Sequence, residues 1–118
     1  MAKGKGQAVS IDGFVAMAGR IVENIPHKFL KHLNGGFNIS EECKKDGGYY
    51  IMGEYLIDDA LGSVIMIYYG SFVQLMEERG SGVWEIELRE TIHHELRHHI
   101  EIMAGVDYLS EEEMADWD

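Results

Sequence analysis

The chain has 118 residues, 46 % of them hydrophobic, which is enough for one domain with a core and too few for two. Acids outnumber bases by 21 to 10, and the net charge of −11 excludes nucleic acid and anionic membrane as partners, because phosphate binding needs clustered Lys and Arg. The single cysteine, Cys43, rules out an intrachain disulfide and a cysteine-built zinc site, and it points to a reducing, cytoplasmic setting.

Residues 1–9 are small and polar and read as a flexible tail ahead of one domain over 10–118. No apolar segment follows Lys3 and Lys5, so no signal peptide is visible. Phe14, Met17, Ala18, Ile21, Val22 and Ile25 form a helical stripe that Ser10 or Asp12 can cap. Pro26 suits the opening of a second short helix with Phe29, Leu30 and Leu33 on its apolar face, ended by Asn34-Gly35-Gly36. The composition then turns strand-like. Phe37-Asn38-Ile39 alternates, 49–56 is rich in aromatic and aliphatic residues, and 64–69 is the continuous apolar run of a central strand. Gly47-Gly48 and Gly62 punctuate these strands, and 58–62 reads as a loop. The weakly charged stretch 60–76 is broken by Gly62 and Gly70 and falls short of the roughly 20 residues a bilayer crossing needs; it reads as a strand running into a helix. Ser71 can cap a helix over 72–79 that Gly80 stops. A long helix over 83–104 follows and ends at Gly105, and Ser110 with Glu113 has capping-box spacing for a last short helix holding Met114 and Trp117.

The chemistry lies in the long helix, at His94-Glu95-Leu96-Arg97-His98. Residues four apart share a helical face, so His94 and His98 can bind one zinc ion. Glu95 flanks that face, where its carboxylate can act as general base on a water acidified by the metal. Trp84, Leu88, Ile92, Leu96, Ile100 and Met103 form a separate apolar stripe, so core face and metal face are distinct. The third protein ligand is expected to be Glu101, seven residues past His94 on the same face, or Asp107, folding back after the Gly105 turn. Glu90 also lies on this face, one turn earlier. His93 and His99 fall outside it and read as surface groups or supports of the site. Tyr49, Tyr50, Tyr55, Tyr68 and Tyr69 are candidates to steady an oxyanion, and each is also a natural packing residue. The plain alternative is a surface helix whose histidines and acids form solvated i,i+4 pairs.

The chain resembles the small zincin-like metallopeptidases, or mini-zincins. Ile25-Pro26-His27-Lys28-Phe29-Leu30 followed by Asn38-Ile39-Ser40-Glu41-Glu42 is similar to the family's opening helix and first strand. Residues 49–69 resemble its middle strands, and 91–105 its signature helix. Many members carry HExxHxxGxxD with the Asp as third zinc ligand. This chain matches at His94, Glu95 and His98, then has Glu101 at the Gly position and Ala104 at the Asp position, with Gly105 and Asp107 slightly later.

The expected fold is α+β and zincin-like: a sheet of about three strands packed on the long active-site helix, with flanking helices. An edge strand is expected to border the cleft, where a peptide substrate could add as a further strand. The expected function is zinc-dependent peptide hydrolysis, with Zn²⁺ on His94, His98 and Glu101 and with Glu95 as base. The alternative is an inactive zincin-fold domain that binds a partner or regulates it.

Overall fold

The computed structural model describes residues 9–106 and 109–117; the tail expected over 1–9 lies outside it up to residue 8, as does Asp107. Helix α1 (Ile11–Glu23) starts at Ser10, whose Oγ accepts the Gly13 N–H at 3.0 Å, so the cap is Ser10 and not Asp12. Phe14, Met17, Ala18 and Ile21 of its stripe are buried. Pro26 leads into a single 3-10 turn (His27–Leu30) that buries Phe29.

Five strands follow: β1 (Gly36–Ser40), β2 (Lys44–Asp46), β3 (Tyr49–Ile51), β4 (Gly53–Asp58) and β5 (Gly62–Tyr68). The single strand expected over 49–56 is two strands, because Met52 separates β3, which pairs antiparallel with β2, from β4, which pairs antiparallel with β5. The main sheet has the order β1-β5-β4 with β1 parallel to β5, so it is mixed and three-stranded, within an α+β fold. Strand β5 is central and buries Val64, Ile65, Ile67 and Tyr68, which explains its unbroken apolar sequence.

Helix α2 (Tyr69–Met76) continues directly from β5 with no side-chain cap. The expected cap, Ser71, is instead fully buried within the helix: its Oγ accepts the Lys44 N–H at 3.0 Å and donates to the Lys44 carbonyl at 3.2 Å. This stitches the β2–β3 hairpin to α2. Gly70 lets segment 41–43 run against the helix, since a Cβ there would stand 2.6 Å from the Glu41 carbonyl oxygen and from the Cys43 nitrogen. Both neighbours are backbone and cannot rotate away. Gly70→Ala is therefore expected to cost about 1–3 kcal/mol of stability, read by urea denaturation; an unchanged midpoint would show that the segment yields freely.

Helix α3 (Ser81–Gly105) is 25 residues long and packs against α1, β4 and β5. Its whole predicted stripe, from Trp84 to Met103, is buried in one cluster with α1, β5 and α2. Helix α4 (Glu111–Met114) carries the expected capping box: Ser110 Oγ accepts the Glu113 N–H, and Glu113 Oε1 accepts the Ser110 N–H, each at 3.1 Å. Among the described residues no helix is long and apolar enough to cross a membrane.

Candidate functional site

The second half of α3 shows two faces. Leu96 is fully buried, while His94 and His98 are exposed with ring centroids 5.3 Å apart and perpendicular planes. Glu95 lies beside them, half-buried. Opposite stands β4, an edge strand of the sheet. It comes close because of Gly53, where a Cβ would lie 2.9 Å from Thr91 Cγ2 of α3 and 3.2 Å from the Met66 carbonyl oxygen. Helix and strand enclose a cleft, and Glu95 faces cavities on both sides of itself. One, of about 560 Å³, takes in His98, Glu101 and Ile102 together with Gly53, Glu54, Tyr55 and Leu56. The other, of about 340 Å³, takes in His94, Glu90, Glu87 and Thr91 together with Tyr50 and Gly53.

Among the described residues, half of the β4 backbone has no strand partner. The Tyr68 N–H donates to the Met52 carbonyl at 2.9 Å, which sets the even-numbered residues facing the β5 ladder, in the register Glu54 to Met66 and Leu56 to Val64. Gly53, Tyr55 and Ile57 therefore turn their backbone groups to the open edge. The Tyr55 N–H faces the Glu95 carboxylate there and helps to hold its pKa down.

Burial pushes the Glu95 carboxyl above its ordinary value. Charge on His94 and His98 and the Tyr55 N–H pull it back, and Glu54 adds to the rise. Glu54 itself points to the other face of the sheet. Burial works to raise its carboxyl, but Lys44 Nζ at 2.7 Å and the Tyr68 hydroxyl at 2.8 Å, both donating to Oε1, outweigh it and hold the group below the usual carboxylate range.

His99 is not the surface group that was one of the two sequence expectations for it. It is fully buried, with Nε2 2.7 Å from the Lys31 carbonyl oxygen and Nδ1 2.8 Å from the Tyr55 hydroxyl. A carbonyl only accepts, so Nε2 carries the proton and Nδ1 accepts from Tyr55. Burial lowers the imidazole's pKa, the Lys31 carbonyl opposes this, and His32 reinforces it. His93 stacks obliquely on Trp117 at 5.3 Å and lines a small cavity with Arg20 and Asn24, away from the cleft.

The tyrosines separate by environment. Tyr68 is tied to Glu54, Tyr69 donates to the Val9 carbonyl, and Tyr49 is 79 % exposed. Tyr50 and Tyr55 line the cavities, and of these Tyr55 is the one held by a hydrogen bond to α3.

Among the described residues no three His, Cys, Asp or Glu side chains stand close enough together to hold a metal ion. The structure pairs His94 with His98, places Glu101 in the cavity on the His98 side, and leaves Asp107 outside the described residues. Two imidazoles one helical turn apart on an exposed face beside a half-buried carboxylate fit zinc in donor type, and they leave the remaining positions to a third donor and to water.

No family model matches the chain, and neither does any curated protein. Among solved structures it is similar to a conserved hypothetical protein from Thermus thermophilus, at 35 % identity and a TM-score of 0.71, over 81 % of this chain and 98 % of that one.

Proposed function

The chain belongs to one family with the Thermus thermophilus protein, and for it we propose zinc-dependent hydrolysis of peptide bonds in the cleft between α3 and β4, on a zincin-like scaffold. The observation that carries this reading is the placement of His94 and His98 as an exposed pair beside half-buried Glu95, across from an open strand edge. His94 and His98 would hold the ion, with Glu101 or Asp107 as third ligand. When bound, zinc supplies a Lewis acid for the scissile carbonyl and lowers the pKa of water toward about 7. Glu95 would take a proton from the attacking water at its carboxylate and deliver it to the leaving amine nitrogen, from its half-buried place beside the histidine pair. The open edge of β4 orients an extended peptide through the backbone groups of Gly53 and Ile57. The cleft is shallow and open at both ends of Glu95, which suits flexible segments over folded ones.

The test is elemental analysis of protein purified without chelator or His-tag, for the wild type and for His94→Ala, His98→Ala, Glu101→Ala and Asp107→Ala. About one zinc per chain is expected in the wild type, with loss in both histidine variants and in whichever acid variant removes the third ligand. A wild type that takes up no zinc after reconstitution at neutral pH would sink the reading. A second reading, a peptide-binding domain without catalysis, draws on the absence of a third donor beside the histidine pair among the described residues. Peptide binding at the β4 edge with no turnover by the zinc-loaded chain would favour it.

A further inference from the structure

The mechanism above uses Glu95 and the histidine pair, and leaves buried His99 and the Tyr55 hydroxyl without a task. Their arrangement is specific. His99 is among the few polar side chains in the core, and both of its nitrogens are engaged by groups from other parts of the chain. On one side is the backbone after the 3-10 turn, where Lys31 precedes His32 at φ +66°, a left-handed conformation uncommon for a residue with a side chain. On the other side is the side chain of the edge strand. The rings of Tyr55 and His99 also pack at 5.5 Å.

Tyr55 is thus tied to α3 by its side chain. Its hydroxyl bonds to His99 one turn past Glu95, and its backbone N–H faces the Glu95 carboxylate. These contacts fall on one residue because Tyr55 projects its side chain toward the helix and turns its N–H to the open edge. A strand edge has freedom to shift when its outer backbone groups are unpaired. Here the side chain removes that freedom at the residue that matters.

We propose that His99 is a positioning residue of this site: by accepting the Tyr55 hydroxyl while donating to the Lys31 carbonyl, it sets the depth of β4 against α3 and so aims the Tyr55 N–H at Glu95. The consequence is a base whose orientation is fixed before substrate arrives. The inference rests on the hydrolase reading only for what Glu95 does, not for the geometry.

Amide hydrogen exchange on the whole chain tests it without any turnover. Glu95→Ala defines the rate of the residue-55 amide when its acceptor is gone. In Tyr55→Phe, which keeps the ring and removes the hydroxyl, exchange at residue 55 is expected to rise about tenfold, toward that limit, while the amides of Leu96 and Ile67 change by less than about twofold. His99→Leu is expected to match Tyr55→Phe, and His99→Gln, which retains a donor and an acceptor, to restore most of the protection. An unchanged residue-55 rate in Tyr55→Phe, or equal acceleration at all three amides, would overturn the proposal, since the latter marks a loss of stability alone. Zinc-loaded Tyr55→Phe is expected to lose kcat with KM within about twofold of the wild type. A wild type that cleaves no peptide defeats the hydrolase reading and leaves the exchange result standing, so the two failures are separable.

Discussion

Glu95→Gln is expected to lower kcat for peptide cleavage by about 10³-fold, with KM and zinc content unchanged. The amide has the shape of the carboxylate and can still accept the Tyr55 N–H, so the cleft keeps its form. What is lost is the ability to take a proton. Positioned acid–base groups contribute about 10²–10⁴-fold, and here one group would serve both the attacking water and the leaving nitrogen. The variant should not be less stable than the wild type. Burial already disfavours the Glu95 charge, so a neutral replacement relieves a penalty. A slow variant with normal zinc content and an equal or higher melting temperature would identify the base. Full activity in Glu95→Gln, at normal zinc occupancy, would exclude Glu95 from proton transfer and would direct attention to Glu101, on the His98 side of the larger cavity.

The parts of this arrangement legible in the sequence share one physical origin, periodicity within a single element. Helix α3 announces itself through a stripe that repeats every three to four residues, and the same 100° step separates His94 and His98 from Leu96. Capping at Ser10 and Ser110 is equally local. What was not legible depends on contacts between elements. Strand β2 is Lys44-Lys45-Asp46, which carries no alternation; it pairs because the turn at Gly47, φ +62°, folds it onto β3, and because Ser71 grips Lys44. Ser71 resembled a cap by residue type, yet β5 runs into α2 without a break and places it inside the helix.

His99 is legible only in part. Its position, three residues after Leu96 and four before Met103, belongs to the buried stripe. Of the two expectations for His99, a surface group or a support of the site, burial excludes the first. A polar residue on an apolar stripe signals that a partner waits inside, because burying an unpaired imidazole is costly. The identity of that partner was beyond reach. It required the register of β4 against β5, and that register follows from the hairpin at 58–62, where Asp58 Oδ1 accepts the N–H groups of Ala60 and Leu61 at 2.7 and 2.8 Å.

The largest loss of stability is expected for Trp84→Ala, at about 3–5 kcal/mol. Trp84 is fully buried in a cluster with Phe14, Tyr69 and Phe72, at ring separations of 6.0–6.1 Å, and its Nε1 donates to the Met76 carbonyl at 2.7 Å. Truncation removes the ring, opens a cavity and strands the carbonyl. Trp84→Phe keeps most of the ring and loses only the hydrogen bond, so its cost should be nearer about 1–2 kcal/mol; equal losses in the two variants would mean that the bond, not the packing, dominates. A domain of this size has roughly 5–15 kcal/mol to lose, so Trp84→Ala should remain partly folded and remain useful. It anchors the start of α3 against α1 and α2, whereas His94 and His98 lie toward the far end. Zinc that binds the folded chain adds about 2.7 kcal/mol at a hundredfold excess over its Kd. Added zinc should therefore raise the melting temperature of Trp84→Ala as it does that of the wild type, and should do nothing for His98→Ala. A Trp84→Ala chain that folds but gains nothing from zinc would mean that the aromatic anchor shapes the histidine pair itself, and that the two ends of α3 act as one unit.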